Sequence, residues 1–599
     1  MTPTQWITLG ILTVVIIVLF ADRLRADLAA LLALISLGVT NVVAPSEIFS
    51  GFSRSAAITV MAIFILTNGL YRTGVTHWLG RRLLRLGGRD PVRMTLVITL
   101  AGAILSWFMN TIAAGAILLP AAIGASRDSG IRLSKLLIPL SFGTLLGGMA
   151  TLFTAANILV NSGLRDAGSM PFGVLDFLPV GGLIAVTGIV FIATIGHRLL
   201  PDRSPDDRFA WAQHLGTALT DLYGLRERLG EGRVQANSPL VGKTIAEGRL
   251  GETFGLSVLA IIHNGRTRLA PSPEDRLDER DLLVVVGRHE RVQQLAELGV
   301  TLERDAAWED ELSSATVGLV EVIIAPRSRV VGQTLKQMNF RQKFGLTVIA
   351  LWRGGRPYRT DVGDMALQFG DALLLHGTYK AIQVLQSESD FIVLRPETPQ
   401  TQRPRQAPLA AAIMLGVVTT SAIGWLPIAE AAFAGAVIMI LTRCLTMDEA
   451  YQAIEWKVVF LIAGMMPLGI ALQETGAAGL IGQGLLQTLG RWGALALLGS
   501  VYWMAVLLTQ FVSGQVTALI VTPIALSAAA QIGADPRSFA MATALACSSA
   551  FLTPIAHPVN LLVMGPAGYQ PRDFLRIGLP LSVLCFVVVL AALPIFWPL

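Results

Sequence analysis

FMNTIAAGAILLP (residues 108–120) and FVSGQVTALIVTP (511–523) share an aromatic start, a few small polar residues, an apolar run and a closing proline. They lie at a constant offset of 403, which also carries Asn157 to Asn560, Pro120 to Pro523 and Asp27 to Glu430. ANILV (156–160) parallels VNLLV (559–563), and YRTG (71–74) matches QETG (473–476) at an offset of 402. The chain is therefore built from two related halves, and an internal repeat constrains the fold before any single residue does.

The 599 residues are 53% hydrophobic and only 15% charged, with a mean hydropathy of +0.61. That is too apolar for a soluble protein of this size. A helix needs about 20 apolar residues to cross a hydrocarbon core of about 30 Å, and the chain offers many such runs. Hydropathy gives a first membrane repeat at 1–200, a soluble block between, and a second repeat at 406–599. The opening segment WITLGILTVVIIVLF (6–20) lacks a basic start and a small-residue cleavage site, so it reads as a retained helix. Cys444, Cys547 and Cys585 lie in apolar stretches without metal-type spacing, which implies neither a disulfide framework nor a zinc site. No phosphate-binding loop and no HExxH occurs, so ATP-driven pumping and zinc hydrolysis have no motif support. The net charge of +5 resides in loops and speaks to topology, not to nucleic acid.

If the N-terminus is outside and 94–109 with 112–126 form a re-entrant hairpin, fifteen basic residues fall inside, from Arg23 to Arg576. Only Arg54, Arg165, Arg491 and Arg537 fall outside. This asymmetry satisfies the positive-inside rule. It makes the second hairpin, near 493–531, enter from the opposite side, so the halves are inverted. Each half then supplies about five crossing helices and one hairpin, with the soluble block cytoplasmic. Inverted repeats with interrupted helices are the pattern of secondary transporters, with the site near the midplane.

TPIAHPVN (553–560) places two prolines, a histidine and an asparagine between apolar runs. Prolines 554 and 558 predict a helix break between 553 and 558. At membrane depth, irregular backbone survives only where protein or a cavity satisfies it. Thr553, His557 and Asn560 supply polar groups there, and GGMATLFTAAN (147–157) is the matching stretch, with Thr151, Thr154 and Asn157. The hairpin tips add Asn110 and Thr111 on one side and Ser513, Gly514, Gln515 and Thr517 on the other. His557 has two readings, a proton carrier or a neutral ring bonded to a freed carbonyl. Asp27 and Glu430, at helix starts, read as structural. With no Lys or Arg in the set, an anion would be held by helix termini, hydroxyls and amides.

The soluble block is itself duplicated. SPLVGKTI (238–245) parallels SRVVGQTL (328–335) at an offset of 90, which takes Gly242 to Gly332, Gly255 to Gly345, Gly265 to Gly355, Asp281 to Asp371 and Gly287 to Gly377. Short β-branched runs alternating with Gly turns predict two small α+β modules, at 233–302 and 319–394. Linkers are expected at 201–232, 303–318 and 395–405. The VG(K/Q)T and FGLxVxA patterns, the NG or GG turn, and GD-x-LLLxG in the second copy resemble the TrkA-C (RCK_C) regulatory domain. That resemblance implies pairing, and in some relatives a bound nucleotide; regulation and plain dimerisation both fit.

With these features, and the ending GPAGYQPRDFLRIGLPL (565–581), the membrane halves resemble the divalent anion:sodium symporter family, in the branch carrying a TrkA-C pair between the halves. The resemblance implies a homodimeric, elevator-type transporter in the cell inner (plasma) membrane. Its substrate would be sulfate, a dicarboxylate or a similar small anion, coupled to a cation. A sodium ion near Asn110 and Ser513 is the one ion it implies, and no other cofactor or metal. The family's Asn- and Ser-rich tips are altered here: Asn110 and Ser513 remain, while Thr111-Ile112 and Gly514-Gln515 depart from the pattern. Sodium, proton and uncoupled exchange all stay open. A ligand-gated channel, a non-transporting sensor and an arsenite-type efflux permease are the alternatives on the same fold.

Overall fold

The computed structural model describes residues 1–202 (without 22, 23 and 85), 229–303 (without 249, 251–255, 264, 265, 270, 272, 273 and 288), 317–394 (without 326, 327, 354, 355, 360, 361, 369, 387 and 389) and 403–598 (without 490–492). Arg23, Arg85, Arg491, Gly255, Gly265 and Gly355 of the pairings above lie outside these residues, as do most of the three linkers. The chain forms two compact units, Met1–Ser204 with Thr401–Leu599, and Pro205–Gln400.

The first half of the helical unit runs α1 (Pro3–Ala21), α2 (Ala26–Val39), α3 (Ser55–Arg72), α4 (Val75–Leu84), α5 (Pro91–Ser106), α6 (Thr111–Ser129), α7 (Leu137–Met149), α8 (Ala155–Asp166) and α9 (Leu178–Phe191). A π-turn at Ile192–Gly196 carries α9 on toward Leu199. Asp27, in the first turn of α2, accepts from Arg25 Nη2 at 2.6 Å and from Leu28 N. Asp90 accepts from Arg93 N at 2.7 Å and, with Pro91 behind it, fixes where α5 begins.

The second unit holds two five-stranded antiparallel sheets, formed by β1 (Leu229–Val234), β2 (Ser257–His263), β3 (Arg266–Leu269), β4 (Leu282–Val286) and β5 (Val300–Glu303), then β6 (Val317–Ile324), β7 (Thr347–Arg353), β8 (Arg356–Tyr358), β9 (Ala372–Thr378) and β10 (Phe391–Leu394). The orders β3-β2-β4-β1-β5 and β8-β7-β9-β6-β10 are the same order. A register shift at Val258/Ala260 recurs at Val348/Ala350, and the bridge Thr244–Arg276 recurs at Thr334–Ala366. Short helices α10 (His289–Gln293), α11 (Phe340–Phe344) and α12 (Tyr379–Gln386) cover them. The first sheet begins at Leu229, inside the stretch expected as linker, because Leu229–Arg233 pairs with Leu282–Val286.

The second half runs α13 (Ala407–Ala422), α14 (Ile428–Leu441), α15 (Met447–Ala453), α16 (Trp456–Glu474), α17 (Ala477–Leu489), α18 (Ala494–Thr509), α19 (Gly514–Ile532), α20 (Pro536–Cys547), α21 (Pro558–Met564) and α22 (Pro571–Phe596). Adding 403 to 91–106 and 111–129 gives 494–509 and 514–532, the observed bounds of α18 and α19. The hairpins are α5–α6 and α18–α19. The interrupted helices are α7–α8 and α20–α21.

Among the described residues, six helices are long and apolar enough to cross a membrane: α1, α3 with its lead-in turn, α9 with its extension, α16, α19 and α22. Large apolar side chains such as Ile17, Ile35, Val186, Leu415 and Ile595 are more than half exposed, as lipid-facing residues are. The chain is a multi-pass membrane protein. Helices pack backbone against backbone: a Cβ on Gly143 or Gly147 of α7 would overlap the carbonyl oxygens of Thr99 or Ala103 on α5.

Candidate functional site

The first hairpin turns at 107–110 and meets the break between α7 and α8 at Gly148. A Cβ there would lie 3.0 Å from Thr154 Cγ2, 3.6 Å from Thr111 Oγ1 and 3.7 Å from Ser106 Oγ, so the three side chains converge on this glycine. Thr111 and Ser106 share a hydrogen bond at 3.4 Å. Asn110 Oδ1 accepts from Ile112 N at 3.0 Å, and its amide donates to Glu455 Oε1 at 3.4 Å.

Asn157, fully buried, holds the first break shut. Its Nδ2 donates to Gly148 O at 3.3 Å and Thr151 O at 2.7 Å, while Thr151 Oγ1 accepts from Phe153 N. Asn157 Oδ1 and Thr154 Oγ1 are buried and have no hydrogen-bond partner among the described residues. Thr154 is the N-cap of α8, yet no side chain caps that helix. A buried acceptor without a donor costs about 1–3 kcal/mol. Asn157 Oδ1 can only accept, and it lies in the first turn of a helix that no side chain caps.

The second break is organised differently. Gln510, 2% exposed, closes α18 and reaches across: Nε2 donates to Ser549 O at 3.0 Å and Val506 O at 2.9 Å, and Oε1 accepts from Leu552 N at 3.0 Å. Thr553 Oγ1 donates to Gln510 O at 3.1 Å and accepts from Ala556 N. These bonds replace helical ones, and α20 ends at Cys547, six residues before the predicted break at 553–558. Nor do the prolines do the breaking. Pro554 and Pro558 open a 3-10 turn and α21, where a missing N–H costs nothing.

His557 caps α21, its Nδ1 accepting from Val559 N at 3.3 Å. A ring nitrogen that accepts carries no proton, so the bond requires the neutral imidazole with N–H at Nε2. Its partner is a freed amide, not the freed carbonyl expected from the sequence. Asn560 repeats the work of Asn157: Nδ2 donates to Ala550 O at 2.8 Å and Thr553 O at 3.2 Å, but Oδ1 also accepts from Ser141 Oγ at 2.5 Å.

Ser513 Oγ caps α19 by accepting from Val516 N at 3.4 Å. Gly514, half-buried, starts that helix; a Cβ on it would overlap the Cys547 carbonyl oxygen. Gln515 is half-buried in the same turn, and Thr517 is fully buried with an unpartnered Oγ1. Thr111, Thr151, Thr154 and Asn157 thus meet at the first break, and Thr553 and Asn560 at the second, with His557 capping the helix that follows it. The halves interlock around them, Ser141 bonding Asn560 while Gly163 of α8 meets Thr522 of α19. Gln510, Ser106, Ser141 and Glu455 escaped the sequence reading. Gln510 was findable as the one amide in the apolar 494–510 run; a lone serine in a helix carries no such signal.

Residues 14–544 match the family model described as a citrate transporter (CitMHS). An "uncharacterized transporter" of Synechocystis is 33% identical over 96% of this chain and 95% of its own length. The Escherichia coli transporter YfbS is 31% identical over 99% of both. Sodium/sulfate cotransporter 1 of Chlamydomonas reinhardtii is 26% identical over 59% of this chain and 42% of its own. Among solved structures, the crystal structure of the GsuK RCK domain covers 34% of this chain and 78% of its own at 12% identity and a TM-score of 0.13, too slight a likeness to carry weight. With a family match along most of its length, the chain belongs to the citrate-transporter family, of the divalent anion:sodium symporter type, and is a membrane transporter, not an enzyme.

Proposed function

We propose that the protein is a cation-coupled secondary transporter of a small anion such as sulfate or a dicarboxylate. The observation that carries this reading is the asymmetry between the breaks. In the second, Asn560 Oδ1 is answered by Ser141, whereas the first keeps Asn157 Oδ1 and Thr154 Oγ1 unpartnered beside the uncapped start of α8. The acceptor oxygens suit a coupling cation, and the free amides at the helix start suit an anion. Relatives named sodium/sulfate cotransporters favour sodium and sulfate as the pair. His557, occupied as a neutral cap, is a poor proton carrier, which further favours sodium.

In this reading the halves are inverted, α5–α6 opens to the cytoplasm, and the protein works as an elevator-type homodimer in the inner (plasma) membrane. The two sheet modules pair in the cytoplasm and set its activity or its assembly. Reconstituted vesicles preloaded with sulfate, succinate or citrate test this. Saturable uptake driven by an inward sodium gradient is expected. Flux indifferent to both sodium and proton gradients would sink the symport reading.

A further inference from the structure

Arg403 lies three residues past Gln400, where the sheet-bearing unit ends, and it is clamped at once. Its backbone N donates to Arg72 O at 3.0 Å, and its Nη1 to Cys444 O at 3.1 Å and Glu449 Oε2 at 2.9 Å. Glu449 is fixed in turn by Thr446 N at 2.7 Å, and Arg72 Nη1 lies 3.8 Å from it. The Glu449 carbonyl accepts from Asn68 Nδ2 at 3.3 Å. The end of α3, the start of α15 and the chain emerging from the sheet unit are thereby tied into one knot.

Both elements leaving that knot reach the first hairpin's tip. One turn back along α3, Thr67 Oγ1 donates to the carbonyl of Phe108, within the 107–110 turn. Just beyond α15, Glu455 accepts from the amide of Asn110 in the same turn. The second hairpin's tip is held instead by Gln510, within its own half.

We propose that Arg403 and Glu449 are positioning residues for the tip of the first hairpin, acting through Thr67 and Glu455. A displacement of the chain where it leaves the sheet unit then alters how firmly the tip closes on the first break. This rests on the first break being the transport site, and it names the means by which that site is regulated.

The test uses the full chain with Trp107→Cys as a reporter at the tip, where Trp107 is exposed while the native cysteines are buried. Labelling by a membrane-impermeant maleimide is followed alongside thermal stability. Arg403→Ala and Glu449→Gln should each speed labelling about threefold or more, the scale of a modest coupling energy. Arg25→Ala, which breaks an ion pair with Asp27 elsewhere, should not. Thr67→Val cuts the far end of the path and should match Arg403→Ala even if the latter folds poorly. Labelling that rises in Thr67→Val but not in Glu449→Gln overturns the proposal, as does equal labelling in all variants. Labelling needs no turnover, so faster labelling in a chain that moves no anion would refute the transport reading and leave the positioning intact.

Discussion

Asn157 and Asn560 each fasten a broken helix by donating one amide to two carbonyls, but only Asn560 has its own oxygen answered, by Ser141. A duplicated residue has kept its structural half in both copies and its spare acceptor in one.

Asn560→Ala should therefore fail by stability. It strands the Ala550 and Thr553 carbonyls and the Ser141 hydroxyl, a cost of about 2–4 kcal/mol, read as a lower melting temperature with any ion present. Asn157→Ala should in addition lose the sodium-dependent thermal shift. A normal sodium shift in Asn157→Ala would move the cation site elsewhere.

Gln510→Ala removes three buried bonds, two of them between the second hairpin and its break. Destabilisation of about 2 kcal/mol or more is expected, with faster proteolysis or hydrogen exchange at 548–557. The first break, which Gln510 does not touch, should keep its exchange pattern.

Gly514→Ala places a Cβ against the Cys547 carbonyl oxygen, a backbone atom that cannot step aside. Loss of about 2 kcal/mol or more, or of transport, is expected. Gly416→Ala meets nothing within 4 Å in the middle of α13, and should stabilise by about 0.5–1 kcal/mol. Equal effects in thermal unfolding would contradict this packing.

The clamp at Glu449 has a pH signature. Burial pushes its carboxyl up, but the Thr446 amide, Arg72 and Arg403 outweigh burial and hold it below the ordinary glutamate range. A depressed carboxylate lends stability that is complete above its unfolded value, about 4.5, and is lost as pH falls through the lowered one. Labelling at position 107 should thus be insensitive to this group above its unfolded value and rise as pH falls through the lowered one. Glu449→Gln should abolish that rise.

In the second sheet module, Arg353 grips the buried Asp371 with two bonds of 2.8 and 2.6 Å; in the first, His263 meets Asp281 with one of 2.6 Å. Arg353→Ala leaves a buried carboxylate unpaired and should cost about 2–4 kcal/mol, at the low end because the guanidinium is partly exposed. Hydrogen exchange in 347–378 would report it. His263→Arg should protect 257–286 by restoring the paired fork.

The offset of 403 and the hydropathy were enough to align α5–α6 with α18–α19 and to find both interruptions, though the second opens six residues early, because repeats and apolar length are properties of order along the chain. Bond partners are not. Whether Pro558 breaks a helix or begins one depends on Gln510, 48 residues away, taking over the Ser549 and Leu552 backbone groups. Whether a buried asparagine is spent or spare depends on a serine in the other half. The sequence determined that there are two interrupted helices, one per half. Only the tertiary structure decided that the Asn560 oxygen is answered, by Ser141 of the other half, and the Asn157 oxygen is not, since burial makes every unanswered polar atom costly and only packing decides which ones are answered.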